Sequence, residues 1–165
     1  MHKSSLQTAL TGLPPVVNRT TRVLILGSFP GTASLQAQQY YAHPRNQFWA
    51  LLSAVLQTDL QSQHYPQRLN WLLQHQIGLW DVIADCQRAG SLDSAIRAAR
   101  ANQFVWLKQQ CPDLQRVCFN GKTSGKFAPQ FACADYTTVV LPSSSPANAQ
   151  LSFAQKLVLW QGVTG

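Results

Sequence analysis

At 165 residues the chain holds material for one ordinary domain, and a second would leave each half short of core. Hydrophobic residues make up 45% and charged residues 12%, a balance that suits burial and argues against disorder. The charge is lopsided, 13 Lys and Arg against 6 acidic residues that are all aspartate, and the net +7 favours an anionic partner such as nucleic acid without specifying it.

Residues 1–20 are polar, with Gly12 and the pair Pro14 and Pro15, and read as a flexible arm. No run approaches the roughly 20 apolar residues that span a bilayer, and no secretory segment opens the chain, so a cytoplasmic protein is expected. Thr21 to Gly27 is an apolar run closed by glycine and followed by SFPGTAS, the pattern of a buried strand entering a sharp loop. Beyond the turn-prone QYYAHPRN, Phe48 to Leu56 has helical spacing with Asn46 as a candidate cap. Pro66 to Gln76 repeats that spacing until Gly78. IGLWDVI then predicts a second buried strand whose end carries Asp81, an awkward charge unless that end meets solvent or ligand.

Ser91 to Arg100 and Asn102 to Gln110 read as helices. Gln115 to Asn120 is a third strand ending in NGK, Thr123 to Phe131 a helix, and Thr137 to Leu141 a fourth strand. PSSSPAN follows, leading into a last helix from Ala147 to Trp160. Apolar strands alternating with helices indicate a parallel sheet covered on both faces, with its ligand site beyond the carboxyl ends of the strands. GSFPG, the Asp81 region, NGK and PSSSPAN therefore converge on one rim.

Several rim residues have both an ordinary and a chemical reading. Cys86, Cys111, Cys118 and Cys133 lack the close spacing of a zinc or redox motif and read as ordinary thiols, so no metal is expected. GSFPG has neither the three-glycine dinucleotide pattern nor a phosphate-loop lysine. Asn46 is a helix cap or a neutral amide that holds water and substrate without ionising. Tyr40 and Tyr41 are core aromatics or a stacking face for a base. His43 is a satisfied loop histidine or an acid–base group. The serines of PSSSPAN cap the following helix or cradle a phosphate. Arg45, Arg22, Lys122 and Lys126 are solvated charges or contacts to a nucleic-acid backbone. No nucleophile-elbow serine is present, and the absence of Glu makes a two-carboxylate glycosidase hard to build.

Taken together, LILGSFPGTASL, YYAHPRNQFW, GLWDVIADCQRAGSLD, VCFNGKTS and LPSSSPANA resemble the uracil-DNA glycosylase superfamily, most closely its hypoxanthine (deoxyinosine) DNA glycosylase branch. The resemblance spans residues 22 to about 150. It implies an α/β protein, a three-layer α/β/α sandwich around a four-stranded parallel sheet, with residues 21–165 as one glycosylase domain. It also implies excision of a deaminated or mismatched base from DNA without a cofactor, at a bacterial nucleoid, and with no obligate protein partner.

Carried over motif by motif, the resemblance makes Asn46 catalytic, because Phe29 stands where several relatives place a water-activating Asp or Asn and has no polar group for that task. It places Tyr41 against the extruded base and Asp81 at the base edge; the rim reading adds Gly27, Ser28, Phe29, Pro30, Gly31 and His43 at the substrate, and Arg45, Lys122, Ser143, Ser144 and Ser145 at DNA. Leu141 stands where uracil-specific relatives carry a histidine that stabilises the leaving uracil, and Ser145 stands near a bulky intercalating position. Hypoxanthine is thus the expected base. Uracil or mismatch excision is the alternative within the enzyme class, and a non-catalytic nucleic-acid-binding module the alternative outside it.

Overall fold

The computed structural model describes residues 9–165. In chain order its elements are β1 (Leu10–Thr11), β2 (Val23–Gly27), α1 (Thr32–Ala37), α2 (Phe48–Leu56), α3 (Tyr65–Gln74), β3 (Ile77–Asp81), β4 (Ile83–Gln87), β5 (Arg97–Ala101), α4 (Leu107–Gln110), β6 (Arg116–Asn120), α5 (Lys122–Gly125), α6 (Ala128–Cys133), β7 (Thr137–Leu141) and α7 (Phe153–Trp160). Short 3-10 turns lie at Asp93–Ala95 and Gln161–Val163.

The four expected apolar strands form one parallel sheet in the order β3-β2-β6-β7. Side chains alternate across a strand, and β2 shows the consequence. Ile25 packs with α2, α3 and α7 through Phe48, Leu51, Leu52, Leu72 and Trp160. Leu24 and Leu26 pack on the opposite face with Leu107 of α4 and Phe131 of α6. All three β2 residues are fully buried, which is why the run reads as continuously apolar. Truncating any of them to alanine should cost about 2–5 kcal/mol. Three layers, helix on sheet on helix, follow directly.

A second, antiparallel sheet was not expected from the sequence. It has the order β1-β4-β5 and grows from the edge of the first, because the chain bends at Val82 and continues as β4. Ser91 to Arg100, expected as a helix, is instead a braced loop followed by β5. Its alanine and arginine content favours helix locally, but pairing with β4 overrides propensity. The flexible arm is likewise corrected for its described part. Leu10–Thr11 pairs with β4, Val16 bridges Leu79, and Leu13 is buried. Residues 1–8 lie outside the described residues.

Other boundaries shift for local reasons. The expected helix over 123–131 is two, since α5 ends at Gly125 and Pro129 opens α6. The last helix begins at Phe153 rather than Ala147, where Ser152 and Gln155 form a reciprocal capping box. Helix α4 is shorter than the expected 102–110, and α1 was not anticipated. The four cysteines are free thiols, three buried and Cys133 exposed. No helix among the described residues is long and apolar enough to cross a membrane.

Candidate active site

The register pairs Gly27 with Asp81 and Asn120 with Leu141, so the four strands end side by side. The loops that follow them meet the turn ahead of α2, which carries Asn46. Asn46 Oδ1 accepts from the Phe48 backbone N–H at 2.9 Å and from the Ser144 hydroxyl at 2.8 Å. Because both neighbours donate, the amide oxygen must face them, and its two lone pairs are taken. Asn46 Nδ2 makes no hydrogen bond to the described residues and is the free end of this side chain. The cap position expected of Asn46 is held by Gln47, which makes no side-chain capping bond; Asn46 stands one residue earlier and receives the first helical N–H while remaining a polar group at the rim.

Ser144 is the junction of the site. Its hydroxyl accepts from Asn120 Nδ2 at 2.9 Å while donating to Asn46, and its N–H donates to Asn120 Oδ1 at 2.9 Å. Its carbonyl accepts from the Gln47 N–H at 2.9 Å. Ser144 is fully buried, so the direct contact to DNA expected of it is closed, and it ties three chain segments together instead. Behind it, buried Lys156 donates to Gln47 Oε1 at 2.8 Å, and burial lowers its pKa.

Gly27 brings Asp81 and Tyr41 together. A Cβ at Gly27 would lie 2.5 Å from Asp81 Oδ1 and 2.7 Å from the Tyr41 hydroxyl, so only glycine leaves room for both. Burial, and then the charge of Asp93, push the Asp81 carboxyl up to about 7, against an opposing pull from the Gly27 N–H. Burial and then the Asp81 charge drive the Tyr41 phenol well above its ordinary range, with the Asn120 amide opposing. Asp81 Oδ2 and the Tyr41 hydroxyl are two of the three buried side-chain polar atoms without a partner among the described residues. Each costs about 1–3 kcal/mol in that state, so the pair calls for a donor and an acceptor from outside the chain. Tyr41 also has φ of 56° and stacks on Phe48 at 3.9 Å between ring centroids, a left-handed backbone held by packing at the rim.

The remaining expected residues divide by orientation. Phe29 and Pro30 are buried, and Phe29 packs in the core beneath the Arg88 guanidinium, so this loop offers a ligand its backbone rather than the Phe29 ring. Ser28 donates to Asp93 Oδ1 at 2.7 Å. A Cβ at Gly31 would meet Ser91 at 3.4 Å. His43 is exposed and accepts at Nδ1 from the Arg45 N–H at 3.0 Å, which places its ring proton on Nε2 in the neutral form. Arg45 and Lys122 are exposed, and Ser143 and Ser145 are half-buried. Ser143 Oγ accepts from the Ser145 N–H at 3.1 Å. Leu141 is buried in the core on the α2 side.

Two residues were missed by the sequence reading. Asn120 appeared only as the last residue of a strand, although a buried amide closing an apolar strand is a signal in itself. Arg88 donates to Pro30 O and Gly90 O, each at 2.7 Å, and so holds the first rim loop. A separate hollow bounded by Arg22, Trp71, His75 and Arg116 lies at the opposite, amino ends of the strands, so Arg22, expected at the rim, is not there: it precedes β2 rather than following a strand.

Comparison with known proteins gives the site its context. A family model described as the uracil DNA glycosylase superfamily matches residues 14–163. The chain is 47% identical over 137 residues to a hypoxanthine DNA glycosylase of Methanosarcina barkeri, spanning 83% of this chain and 87% of that protein. It is 43% identical over 141 residues to a hypoxanthine DNA glycosylase of Methanosarcina acetivorans, spanning 86% and 89%. The solution structure of a candidate uracil DNA glycosylase from Methanosarcina acetivorans superposes with a TM-score of 0.83 at 37% identity, over 96% of this chain and 100% of that one. On the family match across nearly its whole length, the chain belongs to the uracil DNA glycosylase superfamily.

Proposed function

We propose that the protein is a monofunctional DNA glycosylase that hydrolyses the N-glycosidic bond of deoxyinosine, releasing hypoxanthine and leaving an abasic site. The observation that carries this substrate is the 47% identity, over most of both chains, to a protein named for hypoxanthine excision. The rim chemistry agrees with it. A target base must leave the duplex, and a deaminated base costs less to unstack. Once extruded, it stacks against Tyr41, while its ring N–H donates to Asp81 Oδ2, a buried atom without a partner among the described residues. Because that oxygen is sealed in this conformation, base entry requires Tyr41 to move.

Bond cleavage gives the sugar oxocarbenium character, so water needs placement more than activation. Asn46 Nδ2 holds that water, and the bonds from Ser144 and Phe48 fix the amide that presents it. Backbone groups of Gly27 to Gly31, with His43 beside them, line the base, while Arg45, Lys122, Ser143 and Ser145 meet phosphates. The protein works on chromosomal DNA in the cytoplasm. The curated relatives are archaeal, so a bacterial nucleoid is not essential to this reading.

Labelled duplexes carrying inosine, uracil or an undamaged base, treated with alkali after single-turnover incubation, test the proposal. Fastest cleavage at inosine is expected. Faster release of uracil opposite every base would reassign the substrate within the superfamily, and binding without release from any duplex would leave a nucleic-acid-binding module. The uracil reading has one observation in its favour, the 37% identity to a candidate uracil DNA glycosylase. Leu141 opposes it, since an aliphatic side chain gives a developing uracil anion no hydrogen bond.

A further inference from the structure

A departing base takes an electron pair with it, and Leu141, buried in the core, offers that charge no hydrogen bond. The rim holds a different source of positive potential. Arg88 is only 7% exposed, and its guanidinium carbon lies over the Phe29 ring, 5.3 Å from the centroid. Nε donates to Gly90 O and Nη2 to Pro30 O, each at 2.7 Å, while Nη1 is buried without a partner among the described residues. No carboxylate pairs with this guanidinium. The one ion pair among the described residues joins Arg100 to Asp85, and Asp93 accepts from Ser28.

Holding the two loops together does not require such a charge. Ser91 Oγ accepts from the Thr32 N–H at 2.9 Å and donates to Thr32 Oγ1 at 3.0 Å, and Ser28 reaches Asp93 at 2.7 Å, so the same loops are already tied without a guanidinium. A buried cation without a counter-ion is also costly. What Arg88 adds is its bond to the Pro30 carbonyl. The Pro30–Gly31 peptide is trans, so its N–H points away from its C=O. With the carbonyl drawn to Arg88, the Gly31 N–H is turned the other way; Gly31 is half-buried, and its N–H makes no hydrogen bond to the described residues. A cation on a peptide carbonyl polarises the N–H of the same group and strengthens it as a donor.

We infer that Arg88 is a positioning residue for base release, fixing and polarising the Pro30–Gly31 peptide so that the Gly31 N–H donates to the departing base. The inference deepens the glycosylase reading and rests on it. The electron pair of the C1′–N9 bond leaves with hypoxanthine as an anion, its charge spread over ring nitrogens and carbonyl oxygen. Water forms the new bond to C1′, and the proton it sheds goes to that anion, giving the neutral base. A donor held in place beforehand interacts more strongly with the anion than with the intact nucleotide, and that difference lowers the barrier.

Single-turnover release of hypoxanthine at saturating protein reads the chemical step, and binding to a duplex with a tetrahydrofuran abasic analogue reads affinity without catalysis. Arg88→Met, which keeps a stem and removes the charge, should slow release at least about tenfold while holding that affinity within about twofold. Arg88→Lys keeps the charge and should be at least about threefold faster than Arg88→Met, whereas Ser91→Ala, which cuts the neighbouring tie between the same loops, should stay within about threefold of the wild-type rate. In nitrogen-15-labelled wild-type protein bound to the abasic duplex, added hypoxanthine should move the Gly31 amide proton downfield, and Arg88→Met should lose that response. A wild-type rate in Arg88→Met, a Ser91→Ala variant as slow as Arg88→Met, or a wild-type Gly31 amide that hypoxanthine does not move would each overturn the inference. Should Arg88→Met fail to fold, the wild-type Gly31 resonance decides alone. A wild type that releases no base from any duplex removes the glycosylase reading itself, whereas one that releases hypoxanthine with the Gly31 amide unmoved removes only the role given to Arg88.

Discussion

Replacing Ser144 with alanine removes one oxygen from a fully buried position, and the structure specifies what that oxygen does. It accepts from Asn120 Nδ2 and donates to Asn46 Oδ1. Leaving the Asn120 donor unpaired costs about 1–3 kcal/mol, and losing the bond to Asn46 adds about 1 kcal/mol, so a total loss of about 2–4 kcal/mol is expected. Urea unfolding should show it as a lower midpoint with an unchanged slope. Any effect on catalysis passes through Asn46, whose oxygen would keep only the Phe48 N–H and whose amide would be free to turn. Asn46→Ala should slow single-turnover base release at least about tenfold, which is about 1.4 kcal/mol, with DNA binding retained. Ser144→Ala should lose part of that factor, and the double variant should be no slower than Asn46→Ala alone. Wild-type stability and rate in Ser144→Ala, or losses that multiply in the double variant, would refute the reasoning.

Asp81 predicts a pH dependence of stability. Its carboxyl titrates near 7 when folded against an ordinary 3.8, so the folded state holds the proton more tightly and stability should fall as pH rises from about 4 to 7, then level off. Asp81→Asn should remove that slope in urea titrations; a stability that rises over this range would contradict the assignment. Arg45, exposed beside the rim, should contribute one phosphate contact. Arg45→Ala should weaken binding about equally for all sequences and reduce the slope of log affinity against log salt by about one, and a sequence-selective loss would point to base contact instead.

What was legible in the sequence follows from which interactions are local. Val23–Gly27, Ile77–Asp81 and Arg116–Asn120 are buried on both faces, so their apolar runs announce parallel strands without reference to the rest of the chain, while the edge strand Thr137–Leu141 buries only Leu141 and is announced by its β-branched run. Convergence of the loops then follows from strand polarity alone. Residues 91–101 read wrongly because all the residues of β5 are exposed, so its sequence bears no mark of burial and alanine and arginine suggest helix. Only pairing with β4, itself an extension past the bend at Val82, sets its conformation. Ser144 was placed toward DNA because a serine-rich loop offers hydroxyls; its inward turn depends on Asn46 and Asn120, 98 and 24 residues away. Asn46 could be singled out as a polar residue at the rim, but which end of its amide is free is a property of the assembled network.

That orientation makes Asn46→Asp a sharper probe of mechanism than the alanine variant. Aspartate keeps the side chain's size and leaves one oxygen where Ser144 and Phe48 donate, while its second oxygen replaces Nδ2 and turns a donor into an acceptor. Two donors on the first oxygen favour the ionised form, so the variant carries a carboxylate at neutral pH. If Nδ2 places water by donating to its oxygen, the carboxylate cannot replace it, and base release should slow at least about tenfold. The loss should shrink as pH falls, because the protonated acid regains a donor at the same position. Asp81 titrates in both proteins, so the quantity to follow is the ratio of variant to wild-type rate across pH. A ratio above one at neutral pH that falls on acidification would mean that water needs an acceptor rather than a donor. The working end of Asn46 would then be its oxygen, released from Ser144 when substrate binds.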